Sequence, residues 1–149
     1  MKCAREILEM RDLAELEYQL EQATLDAKAA LDFEEAKKNA IDFCDTAINA
    51  ALELSANRRE DNPTASYRIA RCTDRLGHQL CQVISPDGRR YADGKLSYAP
   101  GGSFLALVTL EDYLADHCFI VTFDDATYPM YGAGSRKCQQ MNISALPQE

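Results

Sequence analysis

Glycine and proline are missing from the first 62 residues, and all 7 glycines and all 5 prolines lie after that point. These two residues are the strongest breakers of regular structure. Alanine, leucine, glutamate, lysine and glutamine dominate the same stretch, and all of them favour helices. The sequence therefore predicts a helical first part that ends between Arg58 and Pro63, because proline cannot continue a helix.

Long apolar runs, export signals and paired cysteine motifs are also missing. The longest apolar run covers residues 104–108, which is far too short to cross a membrane. Acidic residues occur within the first ten positions, so we do not expect a signal peptide. None of the 6 cysteines forms a C-x-x-C pair, which removes the main support for a zinc or redox site. We therefore expect a cytoplasmic protein without disulfides, cofactor or metal, whose cysteines are mostly small buried residues.

Positive charge is scarce in the helical part. Residues 1–57 hold 13 acids and 6 bases, whereas residues 58–149 hold 11 acids and 10 bases, within a total net charge of −8. An acidic surface repels phosphates, so direct nucleic-acid binding is not expected. The same surface would attract a protein with a basic surface, or would simply keep the helices soluble.

Two apolar stripes with coiled-coil spacing run along the helical part. The first consists of Leu13, Leu16, Leu20, Ala23, Ala27 and Ala30. The second consists of Phe33, Ala36, Ala40, Phe43, Ala47, Ala50 and Leu54. A further row is formed by Ile41, Cys44, Ile48 and Ala51, so the second half has a broad apolar face that predicts contact with two neighbours.

The step from Ala30 to Phe33 breaks the heptad phase, and two structures can absorb the break. One is a single long helix, whose first stripe would need a second chain for cover, giving a homodimer. The other is an antiparallel hairpin turning at Leu31 and Asp32, with Asp32 as N-cap and Glu35 completing a capping box. We favour the hairpin because it brings the two stripes together in register, although no glycine marks the turn.

The second part reads as a small, mostly antiparallel sheet. Strands are predicted over residues 66–72 and 79–85, with turns at 76–78, 86–88 and 93–94 between short hairpins. Residues 103–118 are predicted as one helix, or as a strand over 104–108 followed by a helix from Leu110. Residues 119–123 are predicted as the central strand, and residues 140–143 as an edge strand.

The predicted fold is thus α+β, with an N-terminal antiparallel helical hairpin, or a long helix, packed on a small antiparallel sheet that carries one further helix. We divide it into an acidic helical hairpin over residues 1–62 and a small α+β domain over residues 63–149. The two could share one continuous core.

One candidate ligand site lies in residues 124–137, which we expect to be irregular. Asp124 and Asp125 follow a strand, where a carboxylate pair, with Asp116 and His117 before the strand, could bind a divalent metal or serve acid–base chemistry. The glycines before Ser135, Arg136 and Lys137 could cradle a phosphate, but the spacing matches no phosphate-binding motif. We favour a simpler interpretation of both features, a solvated turn for the aspartates and a flexible loop for the glycine-containing segment.

The other candidate site is an acidic surface that a hairpin would present as one broad face. Its residues are Glu6, Glu9, Asp12, Glu15, Glu17, Glu21, Asp26, Glu34 and Glu35. Regularly spaced carboxylates could stand in for nucleic-acid phosphates. The leading hypothesis is therefore a non-enzymatic, acidic protein-binding module, such as a phage or mobile-element inhibitor of a nucleic-acid-binding machine. The alternatives are a small enzyme or ligand-binding domain that uses residues 124–137, and an assembly protein that dimerises through its helices.

Overall fold

The computed structural model describes residues 1–84, 90–92, 95–97, 104–129 and 134–146, with the backbone alone for 90–92, 95–97, 128, 129 and 136. The helices are α1 (Ala4–Phe43), a π-helical turn (Cys44–Ile48), α2 (Asn49–Asn57) and α3 (Leu107–Asp116). The strands are β1 (Thr64–Thr73), β2 (Gln79–Ile84), β3 (Arg90–Ala92), β4 (Lys95–Ser97), β5 (Leu105–Ala106), β6 (Ile120–Pro129) and β7 (Ser135–Ser144). The architecture is α+β, as the composition and periodicity predict.

The first part of the chain is one long helix, and the hairpin that we favoured is wrong. Residues 4–57 stay helical through α1, the π-helical turn and α2, a length of about 80 Å at 1.5 Å per residue. Leu31 and Asp32 lie within α1. The break in heptad phase marks a change of face, because the stripe before it points to solvent whereas Ala36, Ala40 and Phe43 after it are buried.

The π-helical turn moves the buried face of the helix by one residue. The predicted stripe holds as far as Phe43, and then the buried positions become Cys44, Ile48 and Leu52. A π-helical turn carries one more residue than an α-helical turn. The residues that follow it are therefore rotated around the helix axis, and a different row of side chains faces the sheet. Leu54, which the regular spacing placed in the core, is consequently exposed. The helix ends at Asn57, and Arg59 takes a positive φ of 60°, a common way of stopping a helix.

The described strands form one antiparallel sheet in the order β4-β3-β2-β1-β7-β6, with β5 paired to β2. The predicted strands over 66–72 and 79–85 correspond to β1 and β2, and Gly77 adopts a φ of 87° in the turn between them. The predicted turns at 86–88 and 93–94 lie outside the described residues.

Three predictions about the second half of the sheet are wrong. β6 stands at one end of the strand order, and β7 lies between β1 and β6, so the central and edge assignments are reversed. Residues 124–129 continue β6 instead of becoming irregular. Residues 105 and 106 pair with Cys81 and Leu80 of β2, and the following helix starts at Leu107, so neither alternative for residues 103–118 had the right boundary.

The larger of two hydrophobic clusters in the described structure joins the helices to the sheet. The long helix contributes Phe43, Ile48 and Leu52, and α3 contributes Leu110 and Leu114. They meet buried strand residues from both ends of the second part, namely Ala65, Ile69, Cys81, Val83, Met141 and Ile143. The second half of the long helix is therefore anchored, while the first half extends beyond the core.

Candidate functional site

The most unusual surface is the first half of the long helix, residues 4–32, which we call the arm. Every side chain in the arm is exposed except Gln22 and Ala29, which are half-buried. At 1.5 Å per residue the arm is about 43 Å long. Helices in proteins take most of their stability from a packed apolar face, and the arm has none within the described structure.

The arm carries large apolar side chains that water contacts freely. Leu13, Leu16 and Leu20 are 61%, 56% and 67% exposed. Together with Ala23, Ala27 and Ala30, which are also exposed, they form what we call the leucine–alanine stripe. With 3.6 residues per turn, the centre of this stripe lies about 110° around the helix from the residues that contact the body at the base of the arm, and about 160° from the buried face of the helix beyond it. The sheet therefore neither covers the stripe nor obstructs access to it.

Among the described residues, the body holds the arm at its base, through the turn between β1 and β2. The Arg75 guanidinium lies 2.8 Å from Asp26 and donates a hydrogen bond to Gln22 at 2.5 Å. The His78 ring stacks on Phe33 with 3.7 Å between the ring centroids. These contacts lie on the side facing the sheet, so they fix the direction of the arm and leave the leucine–alanine stripe open.

Asp74 organises that turn. Its carboxylate accepts hydrogen bonds from the backbone N–H groups of Leu76 and His78, at 3.0 and 2.8 Å, and lies 3.0 Å from His78 Nδ1. Partial burial raises the pKa of the carboxyl, but the hydrogen bonds and the charge of His78 outweigh it, so the pKa lies below its ordinary value of 3.8. An ionised Asp74 therefore supports the contact at the base of the arm.

The acidic residues singled out from the sequence are all exposed, but they do not share one face. Consecutive acids three residues apart turn by about 60° around the helix, so the row from Glu6 through Glu9 and Asp12 to Glu15 winds around half of it. The broad acidic face depended on the hairpin and is absent from the described helix. Glu34 and Glu35 lie beyond the arm, on the part of the helix that packs on the sheet.

Some of these carboxylates are neutralised locally. Asp12 pairs with Arg11 at 3.1 Å, Asp26 with Arg75 at 2.8 Å, and Glu34 with Lys37 at 2.7 Å. The others form no ion pair with a described side chain, a group that comprises Glu6, Glu9, Glu15, Glu17, Glu21 and Glu35. The arm region, residues 1–32, keeps 8 acids against 4 bases, a net charge of −4.

The residues of the other candidate site lie on the β6–β7 hairpin, where they face different ways. Asp124 and Asp125 are neighbours in β6 and therefore point to opposite faces of the sheet. Asp124 accepts a hydrogen bond from the Asn142 amide at 2.7 Å, and Ser66 donates one to Asn142 at 2.9 Å. Asp124 thus belongs to a row of polar side chains across three strands.

The basic end of that candidate site is part of β7. Ser135, Arg136 and Lys137 pair with Pro129, Tyr128 and Thr127 of β6. The glycine-containing segment just before them lies mostly outside the described residues. The acids and the bases therefore lie on two paired strands of one hairpin. The two aspartates point to opposite faces of the sheet, so they do not form the carboxylate pair that acid–base chemistry would use.

One cleft that sequence analysis missed lies at the π-helical turn, beside the end of α3. It measures about 210 Å³ and is lined in part by Asp45, Tyr113 and His117. The Tyr113 hydroxyl donates a hydrogen bond to Asp45 at 2.5 Å, which raises the pKa of the tyrosine. His117 Nδ1 lies 2.8 Å from the Tyr113 carbonyl oxygen. Asp45 lies within the π-helical turn, which the regular spacing of apolar residues in the sequence does not predict.

The chemistry available in this cleft is limited. Burial, and then the charge of Asp45, raise the pKa of the Cys44 thiol to about 12, so the thiol stays protonated and is a poor nucleophile. Tyr113 acts as a hydrogen-bond donor that ties α3 to the long helix. The cleft is also smaller than the pockets that commonly bind small molecules. These features indicate a packing contact between α3 and the long helix and not a reactive site.

The other cysteines offer no reactive constellation. None of the 6 cysteines forms a disulfide in the described structure, and 2 of them, Cys44 and Cys81, are buried, so the expectation that most are buried is wrong. Burial raises the pKa of Cys81 to about 12 as well. Within the described part of the chain, no group of three or more His, Cys, Asp or Glu side chains is arranged to hold a metal ion. The described helices also include none with the length and apolar character needed to cross a membrane.

Comparisons with family models, with curated proteins and with solved structures found no match for this chain. The fold and its exposed surfaces are therefore the basis for a functional proposal.

Proposed function

We propose that this chain is a non-enzymatic protein-binding module and that the arm is its binding element. The observation that carries the proposal is the exposure of Leu13, Leu16 and Leu20 in one continuous row. Contiguous apolar rows of this kind on soluble proteins mark interaction surfaces. The body, in which the rest of the long helix packs on the sheet, would serve to hold the arm outward.

The charge of the arm favours protein over other partners. Helices that lie on membrane surfaces combine an apolar face with a lysine- and arginine-rich face. The arm region instead has a net charge of −4, which opposes both anionic lipids and nucleic-acid phosphates. An apolar protein surface fits the leucine–alanine stripe best, and neutral or basic residues around it would add to the attraction. The cytoplasm is the predicted place for this encounter.

A second candidate within the same class is nucleic-acid mimicry, as in an inhibitor that a phage or a mobile element would carry. Its support is the set of exposed carboxylates without ion pairs to described residues, including Glu9, Glu15 and Glu17. Because the acids wind around the helix, a partner recognising them would have to enclose the arm. Such a partner would be a basic channel, and its binding would depend steeply on salt.

The alternative of ligand binding through residues 124–137 has weaker support, since Asp124 and Asp125 diverge across the sheet. It predicts lost ligand binding or activity on Asp125→Asn or Arg136→Ala.

Affinity capture with three versions of the full chain tests the proposal and separates its two forms. One bait is unchanged, one carries Leu13→Ser, Leu16→Ser and Leu20→Ser, and one carries Glu15→Gln, Glu17→Gln and Glu21→Gln. We expect a stoichiometric protein partner that the serine bait loses and the glutamine bait retains at high salt. Loss with the glutamine bait and with salt would favour mimicry. A partner that all three baits capture equally would contradict the arm as binding element.

A further inference from the structure

We propose that the leucine–alanine stripe of the arm binds the same stripe of a second copy of this chain, with the two arms antiparallel. This inference rests on the proposed function, because it names the partner of the arm. A two-fold interface requires a surface that is complementary to itself when reversed. The stripe meets that requirement in three ways, namely the order of its large and small side chains, the charges beside it, and the acidic residues at its two ends.

The order of side-chain sizes is the first observation. Three leucines, at 13, 16 and 20, are followed by three alanines, at 23, 27 and 30, with coiled-coil spacing throughout. An antiparallel pair centred between residues 21 and 22 places Leu13 opposite Ala30 of the second copy. The same symmetry places Leu16 opposite Ala27 and Leu20 opposite Ala23. Every layer then contains one large and one small residue.

A parallel pair would pack less evenly. Leucine would meet leucine at one end of the stripe and alanine would meet alanine at the other. The spacing between two packed helices follows the size of the side chains between them, within about 8–10 Å. In a parallel pair the leucines would therefore set a wide spacing at one end, and the alanines at the other end would be too small to contact each other. Antiparallel arms keep one spacing over the whole length.

The flanking residues favour the same orientation. In the antiparallel pair Met10 lies beside Leu31 of the second copy, and these side chains are 50% and 72% exposed in the single chain. Glu17 would lie beside Thr24, and Gln19 beside Asp26, so no like charges meet. In the parallel pair Asp12 of each copy would instead face Glu17 of the other, two repulsive contacts per dimer.

Acidic residues define where the pairing ends. The next positions of the stripe are Glu9 on one side and Glu34 on the other, and the same symmetry would bring them face to face. Pairing therefore covers residues 10–33, about 36 Å of helix. The body contacts the arm at Gln22, Asp26 and Phe33, about 110° around the helix from the centre of the stripe. All six residues of the stripe stay exposed beside these contacts.

Sedimentation velocity of the full chain over a wide concentration range tests self-association. We expect a reversible dimer, weakened by tenfold or more in Leu20→Glu and unchanged in Leu25→Glu. Leu25 is a matched control because it is 45% exposed on the same arm but lies outside the stripe. Circular dichroism on both variants checks that the arm stays helical. A wild-type chain that is monomeric at every concentration, or equal weakening by both substitutions, would overturn the proposal.

Disulfide trapping tests the orientation, in a background with Cys3, Cys72, Cys118 and Cys138 replaced by serine. An equimolar mixture of Leu13→Cys and Ala30→Cys chains should give a cross-linked heterodimer, and neither chain alone should cross-link. Efficient self-cross-linking of Ala30→Cys would show parallel arms and overturn the antiparallel pairing. A monomeric chain that still captures another protein through its leucines would overturn self-pairing and leave the proposed function intact.

Discussion

At the scale of single residues, Phe43 and Leu54 show how the π-helical turn decides which side chains support the fold. Both belong to one regular stripe in the sequence, yet Phe43 is fully buried against the edge of the Tyr67 ring whereas Leu54 is 51% exposed. Phe43→Ala should lower the free energy of unfolding by about 3–5 kcal/mol through lost contacts and a residual cavity. Leu54→Ala should change it by about 0.5 kcal/mol or less.

Urea denaturation of the two variants measures both values. Equal losses would mean that the helix continues without a π-helical turn and buries Leu54 after all. The comparison is well matched, because both substitutions truncate a large apolar side chain on the same long helix.

A second residue, Asp74, makes stability depend on pH. Its pKa is below 3.8 in the folded chain, so its contribution is fully present above that ordinary value and is lost as the pH falls through the folded pKa. Asp74→Asn should be less stable than the wild type at neutral pH, and the difference should shrink in the acid range below about 3.8.

Denaturation midpoints of both chains across a pH series measure this convergence. Asparagine retains an acceptor for the N–H groups of Leu76 and His78, so the variant mainly removes the charge. A difference that stays constant from neutral to acid pH would contradict the role given to the ionised carboxylate.

At the scale of elements, we expect the arm and the body to be energetically separable. Among the described residues, the most N-terminal contact of the arm with the body is the hydrogen bond that Gln22 accepts from Arg75. Deleting residues 2–20 should therefore change the free energy of unfolding of the monomer by about 1 kcal/mol or less. Dilute conditions are needed, because self-association would add stability to the intact chain. A much larger loss would show that the arm is part of the core.

The sequence predicted the elements better than their arrangement. Helical periodicity and the absence of glycine and proline correctly indicated a helical first part, and alternation indicated β1 and β2. The phase break at Ala30 favours a turn, because a turn buries both stripes within one chain. The structure instead leaves one stripe outside, a solution that local periodicity cannot distinguish from a hairpin.

Sheet order was harder still, because strand pairing is a long-range property. The run from Phe119 to Phe123 has strong β propensity, which indicates a half-buried pleated surface but not a central position. β7 pairs with both β1 and β6 and so lies inside the sheet, although it is polar at Gln139 and Gln140. The π-helical turn and the Asp45–Tyr113 contact likewise depend on packing with α3, which no local pattern encodes.

At the scale of the whole molecule, charge should control the orientation of paired arms. In the antiparallel dimer Glu17 lies beside Thr24 of the second copy, so Glu17→Arg should leave the dissociation constant within about threefold of wild type, a change of less than 1 kcal/mol. In a parallel dimer the same substitution would replace repulsion from Asp12 by attraction and tighten binding. Sedimentation at low salt measures the difference, and clear tightening would contradict the antiparallel arrangement.

The described residues form a packed body and an exposed helical arm, and we propose that the arm contacts protein. The most direct test is site-specific photo-cross-linking with the full chain in a lysate of its source cell. A photoreactive residue at position 16 should yield a discrete protein adduct, either a second copy or another protein. The same photoreactive residue at position 66, on the face of the sheet that points away from the helices, should yield no such adduct. No adduct from position 16, or equal adducts from both positions, would contradict the arm as the binding element.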